Sequence, residues 1–332
     1  MTGCRILLAV AVVLSGCEPA PEAPVEPASR PEPIVVYASY VDENYLPSLF
    51  ADFTRASGVP VTVRHREELQ IVSEVIENRG SPPADVLLTR SVHGIWQAAE
   101  EGALRPLQSP AISEQVPDWL RDPDGYWTAT GFATIDVVCN ASNQVDCSAI
   151  AKYEDLGKPD FLSRLCLSSS SLAVNRTLIA NLIADHGVRP AEIIVRGWIA
   201  NLALPPYESE HELLQAIEDG TCAAGVVSGL ALHRFGRPTV AASLPQPGYI
   251  DVEAVGIGRH ARSPDAARKL VEWFTDKQAQ VAHAKSGGLY PANSEAEEEA
   301  NRGMAATLER NVGVAGLNAV DAVKLAERAS YR

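Results

Sequence analysis

Histidines, cysteines and one run of serines are the side chains of this chain most able to do chemistry. None stands in an arrangement that catalysis uses. There is no GxSxG turn to expose a nucleophilic serine, no HExxH pair, no P-loop and no GxGxxG. The seven histidines are scattered, and none sits at metal-ligand spacing. His65, His93, His211 and His233 read as surface or capping residues. A hydrolase using one of Ser168 to Ser171 would need a triad assembled in space, and nothing local points to one. The cysteines offer a plainer chemistry. Cys139, Cys147, Cys166 and Cys222 form an even set with three pairings open to it. The short polar stretch between the first two favours Cys139–Cys147, which leaves Cys166–Cys222. The longer loop closed by the second bridge is worth roughly 4 kcal/mol in the chain-entropy picture. No CxxC pair is present, which argues against zinc.

The N-terminus places those thiols in an oxidising compartment. Arg5 precedes a short apolar run, Ile6 to Leu14, too short to span a bilayer and right for a signal peptide. Leu14-Ser15-Gly16-Cys17 resembles a lipobox, which implies cleavage after residue 16 and acylation of Cys17. Acyl chains there would hold the protein at a membrane surface. Glu18 follows where an inner-membrane retention signal usually has Asp, so either membrane of a Gram-negative envelope stays open. Residues 17–33 are then the lipidated cysteine and a tether rich in Pro, Glu and Ala. As polyproline II the tether reaches roughly 50 Å. The chain has 332 residues with 28 Lys and Arg against 42 Asp and Glu, a net charge of −14. With no basic run, nucleic acid is excluded as a partner.

The remaining sequence must position a site on alternating elements. Ile34 to Tyr37, Val59 to Val63 and Pro83 to Thr89 read as short buried strands. Helical patterns at Glu43–Ala56, Glu67–Asn78 and Val92–Glu101 follow them, the first ended by Gly58. This repetition predicts a mostly parallel sheet with helices on its faces. Thr130 to Val138 is a long apolar strand, suited to crossing into a second lobe. Leu165 to Leu167 is a strand that runs into the four serines, and the helix after it carries Leu178, Ile179, Leu182 and Ile183. Ser209 with Glu212 forms a capping box for a helix ending at Gly220. Strands at Ala223–Val227 and Val252–Ile257 follow. Helices at Ala266–Thr275 and Asp276–Ser286 and a mostly helical end complete the pattern.

Several segments carry a resemblance: PADVLLT (83–89), IWQAAEEGALRPL (95–107), YEDL (153–156), RLCLSSSS (164–171), GWIANLALPP (197–206) and NAVDAVKLAERASYR (318–332). Together they resemble the ferric-iron-binding proteins of ABC transporters. That resemblance implies an α/β, two-lobed type II periplasmic binding protein fold. Lobe 1 would hold residues 34–128 and 250–295, and lobe 2 residues 129–249 and 296–332, with hinge strands between them. It further implies a monomer that captures a small molecule in the interlobe cleft, hands it to an ABC permease in the periplasm, and uses no cofactor.

The family's metal site is not repeated. The position of its tyrosine pair falls on Leu230-Ala231, and the residue before it on Ser228. Phe132 to Ile135 replace cleft arginines. Ser168, Ser169, Ser170 and Asn175 match the residues with which relatives hold an anion at a helix N-terminus. Tyr40 or Tyr45 could supply a first-lobe ligand, and Arg90 could face the cleft. Losing tyrosines and arginines together predicts a roomier, more apolar cleft for an organic, lipid-like solute. The alternative keeps iron(III), carried as a chelate or held by a rearranged set drawn from Tyr37, Tyr40, Tyr45, Tyr207, Tyr249 and Glu68. Shuttling between membranes or sensing would also fit an anchored binding protein.

Overall fold

The computed structural model describes residues 31–39, 44–78, 83–140, 147–236, 240–300, 308 and 312–332. The expected signal peptide, Cys17 and Tyr40 lie outside the described residues. One compact unit runs from Glu32 to Arg332. Its strands are β1 (Ile34–Ala38), β2 (Val61–His65), β3 (Val86–Thr89), β4 (Leu104–Arg105), β5 (Trp127–Asn140), β6 (Leu165–Cys166), β7 (Ala224–Ser228), β8 (Val240–Ser243), β9 (Ile250–Gly258) and β10 (Tyr290–Pro291). Its helices are α1 (Tyr45–Ser57), α2 (Glu68–Ile76), α3 (Val92–Glu100), α4 (Pro110–Gln115), α5 (Ala173–His186), α6 (Val188–Ala200), α7 (Glu210–Glu218), α8 (Gly229–Phe235), α9 (Pro264–Thr275), α10 (Lys277–Gly287), α11 (Ser294–Ala300), α12 (Val312–Leu317) and α13 (Ala319–Arg328).

The architecture is the expected two-lobed α/β fold, built on two sheets that share one strand. In the first, β1 pairs in parallel with β2 and β3. Strand β9 then runs antiparallel between β3 and β5, with β4 on β9 and β10 on β5. Strand β1 is buried at every position, as a central parallel strand covered on both faces must be. In the second sheet β7 lies between β5 and β6, and β8 takes the other edge of β5.

Strand β5 serves both sheets. Residues Trp127 to Thr134 pair with β9, and Ile135 to Cys139 pair with β7. All 14 of its residues are buried. The register with β9 shifts between Ala129 and Gly131. A Cβ at Gly131 would meet the Tyr290 carbonyl at 3.0 Å, so the close approach of β10 there favours glycine.

Helix α1 turns Leu46, Leu49, Phe50 and Phe53 inward, and Phe50 meets Phe274 of α9 edge-on at 5.3 Å. It ends at Gly58 in the left-handed conformation, as its sequence predicts. Two helices had no clear sequence signature. Gly187, at φ 81°, breaks the path between α5 and α6, which otherwise follow without a loop. Helix α8 is only 7 residues long, too short to show a period. Among the described residues, no helix is long and apolar enough to cross a membrane.

The C-terminus closes onto the second sheet's helices. Helix α13 buries Ala322, Leu325 and Ala326. The Tyr331 hydroxyl beyond it donates to the Ser168 carbonyl at 2.6 Å, and Ser170 Oγ donates back to the Tyr331 carbonyl at 3.0 Å.

Cys139 is bridged to Cys147, and Cys166 to Cys222, at sequence separations of 8 and 56. Loop closure predicts unequal worth, about 2.5 kcal/mol for the short bridge and about 4 kcal/mol for the long one. Paired Cys→Ala variants in urea unfolding should therefore lose more stability at 166 and 222 than at 139 and 147. Equal or inverted losses would contradict this.

Candidate functional site

A cleft of about 610 Å³ opens where the ends of β1, β2 and β3 meet β5, β9 and the start of α5. Ser39, His65 to Glu68 and Arg90 form one part of its lining. Asp251 and Glu253 of β9 form its floor, and Ser171 to Val174, Arg176, Glu210 and Ser228 face it from the second sheet's elements. Ala133, Leu230 and Leu289 pack together as a small apolar cluster on its wall. Strand ends and helix starts are where open α/β sheets bind ligands, because backbone N–H groups converge there.

Each carboxylate of the interior lining already has partners. Glu68 accepts from the Arg90 backbone N–H at 2.8 Å and from Ser91 Oγ at 2.6 Å. A Cβ on Gly94 would lie 3.0 Å from Glu68 Oε1, so that glycine leaves room for the contact. Glu210 accepts from the Ser228 N–H and Oγ, tying α7 to the start of α8. Asp251 accepts from Thr177 Oγ1 at 3.0 Å and from the Val252 N–H at 3.1 Å. Glu253 is buried against Thr130 Oγ1 at 2.6 Å and His283 Nε2 at 2.7 Å. Arg90 sits among Glu210, Glu68 and Asp251; burial lowers its pKa, and those three charges oppose the shift. Burial raises the pKa of Glu210, opposed first by its bonds from Ser228.

The donors are not all matched. Both ring nitrogens of His65 and the Nε of Arg176 are buried with no hydrogen-bond partner among the described residues. The buried carboxylates of the lining are therefore satisfied, whereas the Arg176 Nε and the His65 ring are not.

Of the residues singled out from sequence, Arg90, Ser228 and Leu230 line this cleft, as does Ser171 of the serine run. Ser228 also caps α8 by accepting from the Ala231 N–H at 3.1 Å. Gly229 follows it because a Cβ there would meet Thr134 Oγ1 at 2.5 Å. The others lie elsewhere. Tyr45 directs its hydroxyl to His283 Nδ1 at 2.7 Å, and burial raises its pKa. Phe132 is buried and stacks on Tyr290 with centroids 5.2 Å apart. Asn175 donates to Ser168 Oγ at 2.9 Å and to the Ser168 and Ser169 carbonyls. Ser169 Oγ lies 2.9 Å from Ser171 Oγ. The serine run thus holds the start of α5, with only Ser171 in the lining.

Of the rearranged iron set, Tyr40 lies outside the described residues, and among the described ones only Glu68 reaches the cleft. Tyr37 is buried in the first-sheet core, Tyr207 Oη lies 3.8 Å from Cys222 Sγ, and Tyr249 donates to Asp185 at 2.5 Å. Among the described residues no tyrosine lines the cleft, and no group of three His, Cys, Asp or Glu side chains is placed to hold a metal ion. Two expectations need correction. The cleft is not mainly apolar, because charges arrive from α2, α5, α7 and β9 while Phe132 leaves it. His65 lines the cleft and His93 is 7% exposed, so neither is a surface or capping residue. Arg176, Glu210, Asp251 and Glu253 carried no sequence signal, since each sits within an ordinary helix or strand pattern.

Burial, and secondarily the charge of Glu68, push Asp251 up to about 7. Its carboxyl therefore holds a proton more tightly in the folded chain than in the unfolded one. The folded state binds more protons between the ordinary carboxylate range and pH 7, so stability falls as pH rises through that window and levels off above it. Asp251→Asn keeps an acceptor for Thr177 and should flatten this descent. In urea unfolding the variant should gain on the wild type at pH 8 and match it at pH 4. An unchanged slope would contradict the assignment.

Residues 81–310 match the family model described as bacterial extracellular solute-binding protein. The chain is 26% identical to iron uptake protein A1 of Synechocystis over 297 residues, covering 84% of this chain and 81% of that protein. It is 22% identical to the Fe(3+)-binding periplasmic protein of Serratia marcescens, covering 76% of each. Two solved structures share the fold. The Trichodesmium protein in complex with iron and citrate superposes with a TM-score of 0.80 at 24% identity, covering 90% of this chain and 99% of that one. The ferric binding protein from Campylobacter jejuni gives 0.82 at 20% identity, covering 90% and 100%. The two-lobed fold, the cleft between its sheets and the family match agree: this chain belongs to the bacterial extracellular solute-binding proteins.

Proposed function

We propose that this chain is the capture component of an ABC importer, held in the cell envelope by an acylated Cys17, and that its cargo is ferric iron enclosed in an organic chelate. The carrying observation is the cleft itself. A space of about 610 Å³ with no tyrosine among the described residues of its lining suits a molecule better than a bare ion. Relatives named for iron uptake and ferric binding support the metal. The arginines Arg90 and Arg176 support an oxygen-rich shell around it. In this reading the lobes, bounded as the sequence suggests near 128–129 and 249–250, close over the chelate about the shared strands.

A second reading rests on the opposite wall. Ala133, Leu230 and Leu289, with Leu172 and Val174 nearby, offer an apolar surface that a hydrophilic chelate does not need. A metal-free solute with an apolar body and a polar head would use both walls. Burying roughly 200 Å² of such a body gains about 5 kcal/mol before association costs.

Native mass spectrometry with metal analysis, on the mature protein from the periplasm of its host, separates the two. An adduct containing iron and an organic mass is expected. A metal-free organic adduct would establish the second reading, and iron bound with no organic mass would overturn both.

A further inference from the structure

The polar end of the cleft has a consistent imbalance. Glu68, Glu210, Asp251 and Glu253 each already accept at least two hydrogen bonds from protein donors. The unsatisfied groups include donors. Arg176 Nε is buried with no partner, and His65 has two buried ring nitrogens, of which at least one carries a proton. Burying a donor without a partner costs about 1–3 kcal/mol, and more for a charged one. A cleft that leaves such donors open is shaped for a ligand that brings acceptors. Helix α5 adds to this, since Ser171 to Val174 line the cleft and its N-terminal residue makes no side-chain cap.

We infer that the cargo presents a carboxylate to Arg176 and His65, which reach the cleft from α5 and from the end of β2. The inference rests on the solute-binding reading above and names the chemistry at its polar end. Arginine suits the role because its planar fork takes both carboxylate oxygens, which an ammonium cannot match. Asp251 does not replace the ligand. Asp251, electrostatically coupled to Arg176, already holds Thr177 and the Val252 N–H. His93 also feels Arg176, and burial first and that charge second keep it neutral, with its pKa lowered to about 3. His65 stands on β2, so closing the cleft on one carboxylate would join the two walls.

A carboxylate can belong to a ferric chelate or to a lipid-like acid. Equilibrium dialysis of the mature protein against ferric citrate and against palmitate distinguishes these sources, with triethyl citrate and methyl palmitate as neutral counterparts. The wild type should bind one acid at least tenfold more tightly than its ester. Arg176→Gln and His65→Ala should each weaken that acid at least tenfold and leave the weak ester binding unchanged. Should Arg176→Gln fail to fold by circular dichroism, Arg176→Lys, which keeps charge but loses the fork, should still weaken the acid severalfold. Preference for ferric citrate assigns the chelate, and preference for palmitate assigns the lipid-like acid. Equal affinity in wild type and variants overturns the inference. So does a wild type that binds neither acid: if it still carries host cargo in the native measurement, the solute-binding reading stands alone, and if it carries none, both fall.

Discussion

A strand buried along its whole length must find a partner for nearly every backbone N–H and C=O. Strand β5 meets that demand with β9 for its first half and β7 for its second. The rest of the molecule follows from this division. Two sheets that share a strand cannot stack face to face, so their ends splay and leave a space where they part. The space is bounded by strand ends and helix starts, which carry the polar groups. Gly131 and Gly229 stand where β5 is crowded most closely by Tyr290 and by the start of α8. Their missing side chains let the crossing stay tight.

The chemistry of the cleft follows from how its charges are neutralised. Buried carboxylates persist only when hydrogen-bonded or paired. Glu253 is held by Thr130 and by His283, whose other ring nitrogen meets Tyr45. That chain uses the one described tyrosine near the expected first-lobe ligand position, and so removes it from the cleft. Glu68 and Glu210 do similar work for Ser91 and Ser228 while flanking Arg90. The acidic groups are thus structural, and the open valences belong to Arg176 and His65. Together with the substitution to Leu230-Ala231, this leaves no tyrosine on the cleft among the described residues.

Much of the fold was legible. Apolar runs bounded by Pro and Gly located β1, β2 and β3, and the uninterrupted apolar stretch after residue 127 located β5 within a few residues. The N-cap at Ser209, which accepts from the Glu212 N–H, and the stop at Gly58 appear in the structure. The site was harder to read. Leu230 and Ser228 were found because they occupy telling positions relative to a known family, and Arg90 because it ends the third strand. Arg176 and Asp251 were not, because a single charge inside an amphipathic helix or a strand looks like a solvated face until tertiary packing buries it. Phe132 erred in the other direction: its place where relatives carry cleft arginines suggested a cleft wall, yet stacking on Tyr290 turns it into the core. The apolar cleft inferred from lost tyrosines missed the charges brought by elements distant in sequence.

The most direct test of a cleft built for a molecule and not a bare ion is the visible absorption of the mature protein titrated with ferric nitrilotriacetate. A tyrosinate ligand on iron(III) gives an intense charge-transfer band. The structure predicts no such band at any ratio of iron to protein, because no described tyrosine faces the cleft. A band that saturates at one iron per protein would contradict the account, and would place a tyrosinate oxygen on the metal.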